Sequence, residues 1–177
     1  MILGAVLAGG QSTRFGSDKA MAQLGGQSLL ARAVETLQEQ CDAVVVVGRS
    51  EAPAPCLPDR PRAGMGPLGG IAAALHHAAQ NGFSHVLTTA VDSFGCDADL
   101  PGQLSPAPAF CESQPVIGLW PASAAPALDA LLASPAKHSL RAFARAVGAR
   151  AVALTNIPHN INTPADLAAA QEHAHGL

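Results

Sequence analysis

Apolar residues recur along the chain in short runs and in helical repeats, the pattern of an α/β protein. The runs Ile2–Leu7, Ala43–Val47 and 86–91 are largely apolar, which predicts strands that are buried on both faces. Residues 28–37 and 67–79 have apolar positions at helical spacing, and they begin with a serine N-cap candidate and a proline. The first half therefore predicts the order β-α-β-α-β and a parallel sheet covered by helices on both faces.

The second half of the chain has a less regular pattern. Strands are predicted at 116–120 and 151–154. Helices are predicted at 124–132, at Leu140–Val147 and from Ala165 onward. Because the chain has neither an internal repeat nor a low-complexity linker, we expect a single domain over all 177 residues.

The composition excludes several classes of protein. Of the 177 residues, 49% are hydrophobic and 13% are charged, which excludes an intrinsically disordered chain. The net charge is −3, and no basic stripe is present to neutralise nucleic-acid phosphates, so we expect no nucleic-acid partner. The basic residues include just two lysines, Lys19 and Lys137, so the position of each is informative.

The apolar segments and the cysteines indicate a cytoplasmic protein with no membrane partner. The apolar start of the chain, residues 1–8, is too short to span a bilayer and lacks the basic flank of a signal peptide. The four cysteines lie far apart with no Cys-x-x-Cys pair, which argues against a disulfide framework or a zinc ribbon. They favour isolated buried thiols in a reducing compartment.

The loop after the first predicted strand has the chemistry of a phosphate site. Gly9 and Gly10 allow the backbone to approach a ligand closely and to offer N–H groups to anionic oxygens. Further along the loop, Arg14 and Lys19 supply positive charge suited to a polyphosphate. The spacing matches neither a Walker loop nor the Gly-x-Gly-x-x-Gly motif. A nucleotide site is the favoured interpretation, and the alternative is a surface loop with two incidental cations.

Further candidates lie at the same edge of the predicted sheet. Ligands of open α/β sheets bind beyond the carboxyl ends of the strands. These ends carry Gly9-Gly10, Gly48-Arg49 and Asp92. Asp92 is either a Mg²⁺ ligand or a cap of the next turn. The glycines of 64–70, at a helix start, either face a base or ribose or allow close helix–sheet packing.

A last motif begins at Asn160. Thr163 can cap a helix whose first residue is Pro164, with Asp166 in its first turn, and this explains the motif structurally. Asn160 and Asn162 stand at alternate positions, so both amides lie on one side of an extended segment. They can hold a polar ligand there, or they can satisfy the backbone of the loop.

Taken in order, these motifs resemble those of the MobA-type molybdenum cofactor guanylyltransferases, a family of nucleotidyltransferases. The segments that carry the resemblance are 7–19, 66–70, 91–92, Gly118–Pro121 and 160–167. The resemblance implies a Rossmann-like three-layer α/β/α fold with a mostly parallel sheet. It also implies that GMP passes from GTP to molybdenum-bound molybdopterin, with release of pyrophosphate and with Mg²⁺ as cofactor. Other molybdenum cofactor proteins are implied as further partners.

The resemblance also implies roles for individual residues. Arg14, Lys19 and Asp92 would be catalytic, the two cations by contacting the GTP phosphates and Asp92 by binding Mg²⁺. Asn160 and Asn162 would lie on the molybdopterin side. The residues implied to bind GTP are Leu7, Ala8, Gly9, Gly10, Arg14, Lys19, Asp59, Gly66, Gly69 and Asp92.

Two departures from the family pattern leave other functions open. Family members usually read Asp-x-Pro after the strand-end aspartate, whereas this chain reads Asp92-Ser93-Phe94. Arg49, after Gly48, stands where some members carry an asparagine toward the nucleotide, so the ribose contact is unassigned. The alternatives are a cytidylyltransferase acting on molybdopterin or another phosphorylated small molecule, and an adaptor that binds nucleotide or cofactor without transfer. The two glycines that follow Ala8 favour guanine.

Overall fold

Within residues 1–9 and 18–175, which the computed structural model describes, a seven-stranded sheet forms the middle layer of the protein. The strands in chain order are β1 (Ile2–Leu7), β2 (Gln23–Leu24), β3 (Gln27–Ser28), β4 (Ala43–Val47), β5 (Cys56–Leu57), β6 (His85–Ala90), β7 (Ser93–Phe94), β8 (Ala109–Cys111), β9 (Gly118–Pro121), β10 (Arg150–Val152) and β11 (His159–Asn160). The helices are α1 (Leu29–Gln38), α2 (Pro67–Gln80), α3 (Leu100–Leu104), α4 (Ala125–Ala133), α5 (Leu140–Val147) and α6 (Pro164–His175), with short 3₁₀ helices at Lys19–Met21 and Ala122–Ala124.

The central sheet is mixed, and most of its strand pairs are parallel. Its strand order is β10-β8-β9-β6-β1-β4-β5, with β1 parallel to both β4 and β6. Strand β9 runs antiparallel to its neighbours β6 and β8, so the expected mostly parallel sheet is confirmed. The connection from β8 to β9 is too short to hold a crossover helix, so these neighbouring strands pair antiparallel.

Helices cover both faces of the sheet and form two hydrophobic clusters. Consecutive residues of β4 point to opposite faces, Val46 into one cluster and Val45 into the other. Helix α1 packs on the first face through residues such as Leu37. Helices α2, α4 and α5 cover the second face, where the fully buried rings of Trp120 and Phe143 lie 4.8 Å apart. The predicted three-layer arrangement is confirmed.

The elements that bring side chains to the strand ends begin and end close to their predicted positions. Strands β1 and β4 and helix α5 have the predicted bounds. The N-cap of α1 is Ser28, whose Oγ accepts a hydrogen bond from the Ala31 N–H at 3.0 Å. Helix α2 begins at Pro67 as predicted, and Thr163 caps α6 by accepting from the Asp166 N–H. Strands β5 and β8 were not predicted, because two or three residues are too few to show a period.

The cysteines and the helices bear on the expected compartment. No helix in the described part of the chain is both long enough and apolar enough to cross a membrane. All four cysteines are free thiols in this structure. Cys111 is buried as predicted, whereas Cys41, Cys56 and Cys96 are only partly buried.

Candidate active site

A cleft of about 970 Å³ opens beyond the carboxyl ends of β1, β4 and β6. This is the edge at which the sequence predicts a ligand, and all three predicted strand ends contribute to its lining. The predicted site residues that line the cleft are Leu7, Ala8, Gly9, Lys19, Asp59, Gly66 and Asp92. Its volume is that of a small-molecule site.

Two glycines form the part of the cleft wall where β1 and β4 end. Gly48 has φ +93°, and a Cβ there would lie 2.6 Å from the Gly9 Cα. Position 48 therefore requires glycine, and the two backbones meet without an intervening side chain. The Ala8 N–H donates to the Val47 carbonyl at 2.9 Å, so that group belongs to the sheet and leaves Ala8 to line the cleft by its other atoms.

Lys19 and Asp92 form an ion pair inside the cleft. The Lys19 Nζ lies 3.0 Å from Asp92 Oδ2, and the two side chains are 18% and 19% exposed. Lys19 begins the first 3₁₀ helix, and Asp92 follows β6. The Asp92 carbonyl accepts from the Ile161 N–H at 2.9 Å, which attaches the strand end to the segment before α6. The structure thus brings together the predicted phosphate cation and the predicted metal ligand.

A second ion pair joins Asp18 to Arg49 beside the first. The Arg49 Nη1 and Nη2 each donate to one Asp18 oxygen at 3.1 Å. This guanidinium holds the pKa of the Asp18 carboxyl below its usual range. The sequence places Arg49 at this edge but does not predict the pair, because no local spacing relates residues on separate loops.

The segment that leads into α2 forms another part of the cleft wall. Asp59 lines it, and burial raises the pKa of the Asp59 carboxyl. Gly66 also lines the cleft, with φ +72° at the N-cap of α2. Gly69 lies behind this lining, where a Cβ would come within 2.7 Å of the Met65 Cβ, and its carbonyl accepts from the Arg60 N–H at 3.1 Å. Gly69 therefore supports the loop that carries Asp59.

The two asparagines lie outside the lining of this cleft. Asn160 is exposed in β11, which pairs with β7 directly after Asp92. The Asn162 N–H donates to Asp166 Oδ2 at 2.9 Å as part of the cap of α6. Both residues lie beside the Asp92 loop, and their role on the molybdopterin side stays a prediction. Gly10 and Arg14 lie outside the described residues.

Asp92 is the residue of the cleft that could hold a metal ion. Among the described residues, no three His, Cys, Asp or Glu side chains group together as a metal site. Mg²⁺ in nucleotide sites is commonly held by one or two carboxylates together with substrate phosphates and water. The Asp92 carboxylate, which faces the Lys19 ammonium, fits that arrangement, in which the nucleotide completes the coordination.

The mostly parallel sheet, the glycine-lined cleft at its strand ends and the opposed Lys19 and Asp92 define an α/β protein of the nucleotide-binding type. A family model described as the MobA-like NTP transferase domain matches residues 4–154. The chain belongs to this family and is a nucleotidyltransferase.

Similar proteins agree with the resemblance seen in the sequence. The chain is 38% identical to the molybdenum cofactor guanylyltransferase of Rhizobium leguminosarum bv. trifolii (strain WSM2304), with 99% of this chain and 94% of that protein covered. It is also 38% identical to the molybdenum cofactor guanylyltransferase of Rhodobacter capsulatus, over 97% of this chain and 95% of that protein.

Solved structures confirm the Rossmann-like fold. Molybdopterin-guanine dinucleotide biosynthesis protein A from Archaeoglobus fulgidus has a TM-score of 0.74 at 23% identity, with 100% of both chains covered. The 2-C-methyl-D-erythritol 4-phosphate cytidylyltransferase from Thermus thermophilus has a TM-score of 0.68 at 16% identity, with 97% of this chain and 98% of that chain covered. At such identities the likeness shows the fold alone.

Proposed function

We propose that the protein transfers GMP from GTP to the terminal phosphate of molybdenum-bound molybdopterin and releases pyrophosphate. The observation that carries this proposal is the Lys19–Asp92 pair, with Nζ and Oδ2 3.0 Å apart in a cleft at the strand ends. The choice of guanine and molybdopterin is supported by relatives that are 38% identical over nearly the whole chain and are named molybdenum cofactor guanylyltransferases.

The reaction exchanges one phosphoanhydride bond for another. A terminal phosphate oxygen of the pterin attacks the α-phosphorus of GTP, a new P–O bond forms, and the bond to the β-phosphate oxygen breaks. The electron pair leaves with pyrophosphate, so the catalytic need is to place the reactants and stabilise negative charge. No covalent intermediate on the protein is required.

The residues at this site have different roles in the proposed reaction. Lys19 contacts the GTP phosphates with its ammonium group, together with Arg14 from the same loop. The backbone around Gly9 allows close approach of the nucleotide, and Asp59, which also lines the cleft, contacts the nucleoside. Asn160 and Asn162, beside the Asp92 loop, face the pterin substrate in this proposal.

Mg²⁺ is the cofactor that we propose, and Asp92 is the residue that would hold it. When bound, the ion neutralises phosphate charge and stabilises the leaving pyrophosphate. Since the Asp92 carboxylate accepts from Lys19 in this structure, binding of the ion and nucleotide gives both side chains new partners.

The domain organisation, the compartment and the protein partners complete the proposal. We propose that the whole chain acts as one nucleotidyltransferase-like domain, which the family match over residues 4–154 supports. We place it in the cytoplasm, because its four cysteines are free thiols, the state that a reducing compartment maintains. Other molybdenum cofactor proteins are its proposed protein partners.

Pyrophosphate release tests this function. The purified protein is incubated with molybdenum-bound molybdopterin, GTP and Mg²⁺, and each component is omitted in turn. We expect release that depends on all of them. Binding of GTP without release would support the adaptor alternative, and release without molybdopterin would contradict the choice of acceptor.

A further inference from the structure

We propose that Arg49 is a positioning residue, which acts through Asp18 to hold Lys19 where the phosphates of the nucleotide react. The inference rests on the proposed function, because that function assigns Lys19 to the phosphates. It gives Arg49 a role that neither the motifs nor the relatives assign.

The contact between Arg49 and Asp18 fixes orientation as well as distance. Both terminal nitrogens of the guanidinium donate to the carboxylate, each at 3.1 Å. A bidentate pair holds the two planar groups in one mutual orientation, which a single contact does not. Arg49 directly follows the short turn at the end of β4, and Gly48 packs against Gly9 at that turn. The guanidinium therefore extends from a well-packed part of the sheet.

Asp18 transmits this position to Lys19 through the backbone. The two residues are consecutive, so their Cα atoms are about 3.8 Å apart. The turn that contains them is closed by the Met21 N–H bonding to the Asp18 carbonyl at 3.1 Å and the Ala22 N–H bonding to the Lys19 carbonyl at 3.0 Å. A shift of Asp18 therefore moves the backbone of Lys19 as well.

The two ion pairs attach this turn to the strands on either side of β1. Asp18 reaches Arg49 beyond the end of β4, and Lys19 reaches Asp92 beyond the end of β6. In the proposed function, Lys19 and Asp92 take new contacts with the nucleotide and the metal ion, whereas the Arg49–Asp18 pair is kept. The pair then helps to fix the turn during the reaction, beside the packing of the buried Ala20.

The ion pair itself contributes little to folding. The Asp18 side chain is 51% exposed and that of Arg49 is 23% exposed, and ion pairs so exposed to solvent stabilise proteins weakly. A loss of activity in variants of this pair is therefore not explained by unfolding. The competing explanation is a direct nucleotide contact, because the buried Arg49 Nε has no hydrogen-bond acceptor among the described residues.

A double-mutant cycle separates the two roles. Arg49→Ala, Asp18→Ala and the double variant are compared with the wild type for kcat and for the KM of GTP. We expect each single variant to lower kcat about 10- to 100-fold, the effect of a small misplacement of a catalytic group, with the KM changed less than about threefold. The double variant should be no worse than either single variant, because both substitutions break the same contact.

Matched surface variants and a folding measurement serve as controls. Arg141→Ala and Asp129→Ala remove exposed residues of the same types from α5 and α4 and should leave kcat unchanged. All variants should melt within about 4 °C of the wild type. Losses that multiply in the double variant, or a raised KM with unchanged kcat in Arg49→Ala, would show a direct nucleotide contact and overturn the proposal.

A second measurement tests the position of Lys19 without any catalysis. Acetic anhydride modifies Lys19 and Lys137, and mass spectrometry gives the ratio of the two rates within one sample. Removal of Arg49 should raise the relative rate at Lys19 several-fold, and an unchanged ratio would contradict the proposal. If the wild type transfers no GMP, the proposed function fails, and this ratio still decides whether Arg49 positions Lys19.

Discussion

Lys19 donates a hydrogen bond across the cleft to Asp92, with Nζ 3.0 Å from Oδ2. Each side chain is only about a fifth exposed to water, and each one compensates the charge of the other. A polyphosphate is negative like Asp92, and a divalent cation is positive like Lys19. The pair can therefore exchange its internal partners for GTP phosphates and a metal ion without leaving either charge uncompensated.

Replacement of Lys19 by alanine tests the phosphate role. We expect the rate of GMP transfer to fall about 10²- to 10³-fold, the typical cost of removing one group that stabilises transition-state charge. Stability should change little, because Lys19 is not part of either hydrophobic cluster. The control is Lys137→Ala, which removes the other lysine of the chain from an exposed position. Wild-type rates in Lys19→Ala would contradict the phosphate role.

Removal of divalent cations tests the role of Asp92. We expect a chelator to abolish transfer and added Mg²⁺ to restore it. Asp92→Asn should need a higher Mg²⁺ concentration for half-maximal rate, because a neutral amide is a weaker ligand than a carboxylate for a hard cation. The main-chain bond from Ile161 to residue 92 does not involve this side chain, so the loop should stay in place. An unchanged Mg²⁺ requirement would exclude Asp92 as a ligand.

Asp97 makes a separate prediction about stability. The residue is 6% exposed, and its carboxylate accepts hydrogen bonds from the Asn156 N–H at 3.0 Å and from Gln103 Nε2 at 2.9 Å. Burial acts to raise the pKa of Asp97, but these bonds outweigh it and hold the pKa below its ordinary value of 3.8. Asp97→Asn should cost about 1–3 kcal/mol at neutral pH, because an amide nitrogen then faces a donor.

The pH dependence of that loss follows from the direction of the pKa shift. The carboxylate contributes fully above pH 3.8, and its contribution is lost as the pH falls below that value through the folded-state pKa. Urea unfolding should therefore show a gap between wild type and Asp97→Asn that narrows in acid. The control is Glu112→Gln, which changes an exposed carboxylate directly after β8. A gap that stays constant with pH would mean that the bonds to the ionised form are not responsible.

Cys96 should react slowly in the folded protein. It lines a second cavity of about 240 Å³, and burial raises the pKa of its thiol to about 11. At pH 8 only about one molecule in a thousand then carries the reactive thiolate. Iodoacetamide labelling followed by mass spectrometry should be about 100-fold slower at Cys96 in the native protein than in urea. Equal rates in the two states would contradict this burial.

Structure that depends on neighbouring residues is predictable from the sequence of this protein. Strands β1 and β4 are apolar on both sides because both of their faces are covered, and this shows directly in the sequence. Ser28 forms its cap with a residue only three positions away. The antiparallel direction of β9 does not show in the sequence, because its partner β8 has only three residues and gives no period of its own.

In the site as well, features set by the local sequence are predictable, and contacts between residues far apart in the chain are not. The prediction that Gly9, Gly48 and Asp92 meet at one edge is confirmed, since all parallel strands of a sheet end at the same edge. The pairing of Asp18 with Arg49 was missed because 31 positions separate the residues. Gly69 supports the loop behind the lining of the cleft. The sequence alone does not show whether this glycine allows close packing or contacts a ligand.

The base that the enzyme transfers is the most direct test of the central claim. Equal concentrations of GTP and CTP are supplied together with molybdenum-bound molybdopterin and Mg²⁺, and mass spectrometry identifies the nucleotide joined to the pterin. We expect molybdopterin to gain a GMP unit, in step with the release of one pyrophosphate per unit. Addition of CMP instead, or no nucleotide added to the pterin at all, would contradict the assignment of this protein as a guanylyltransferase.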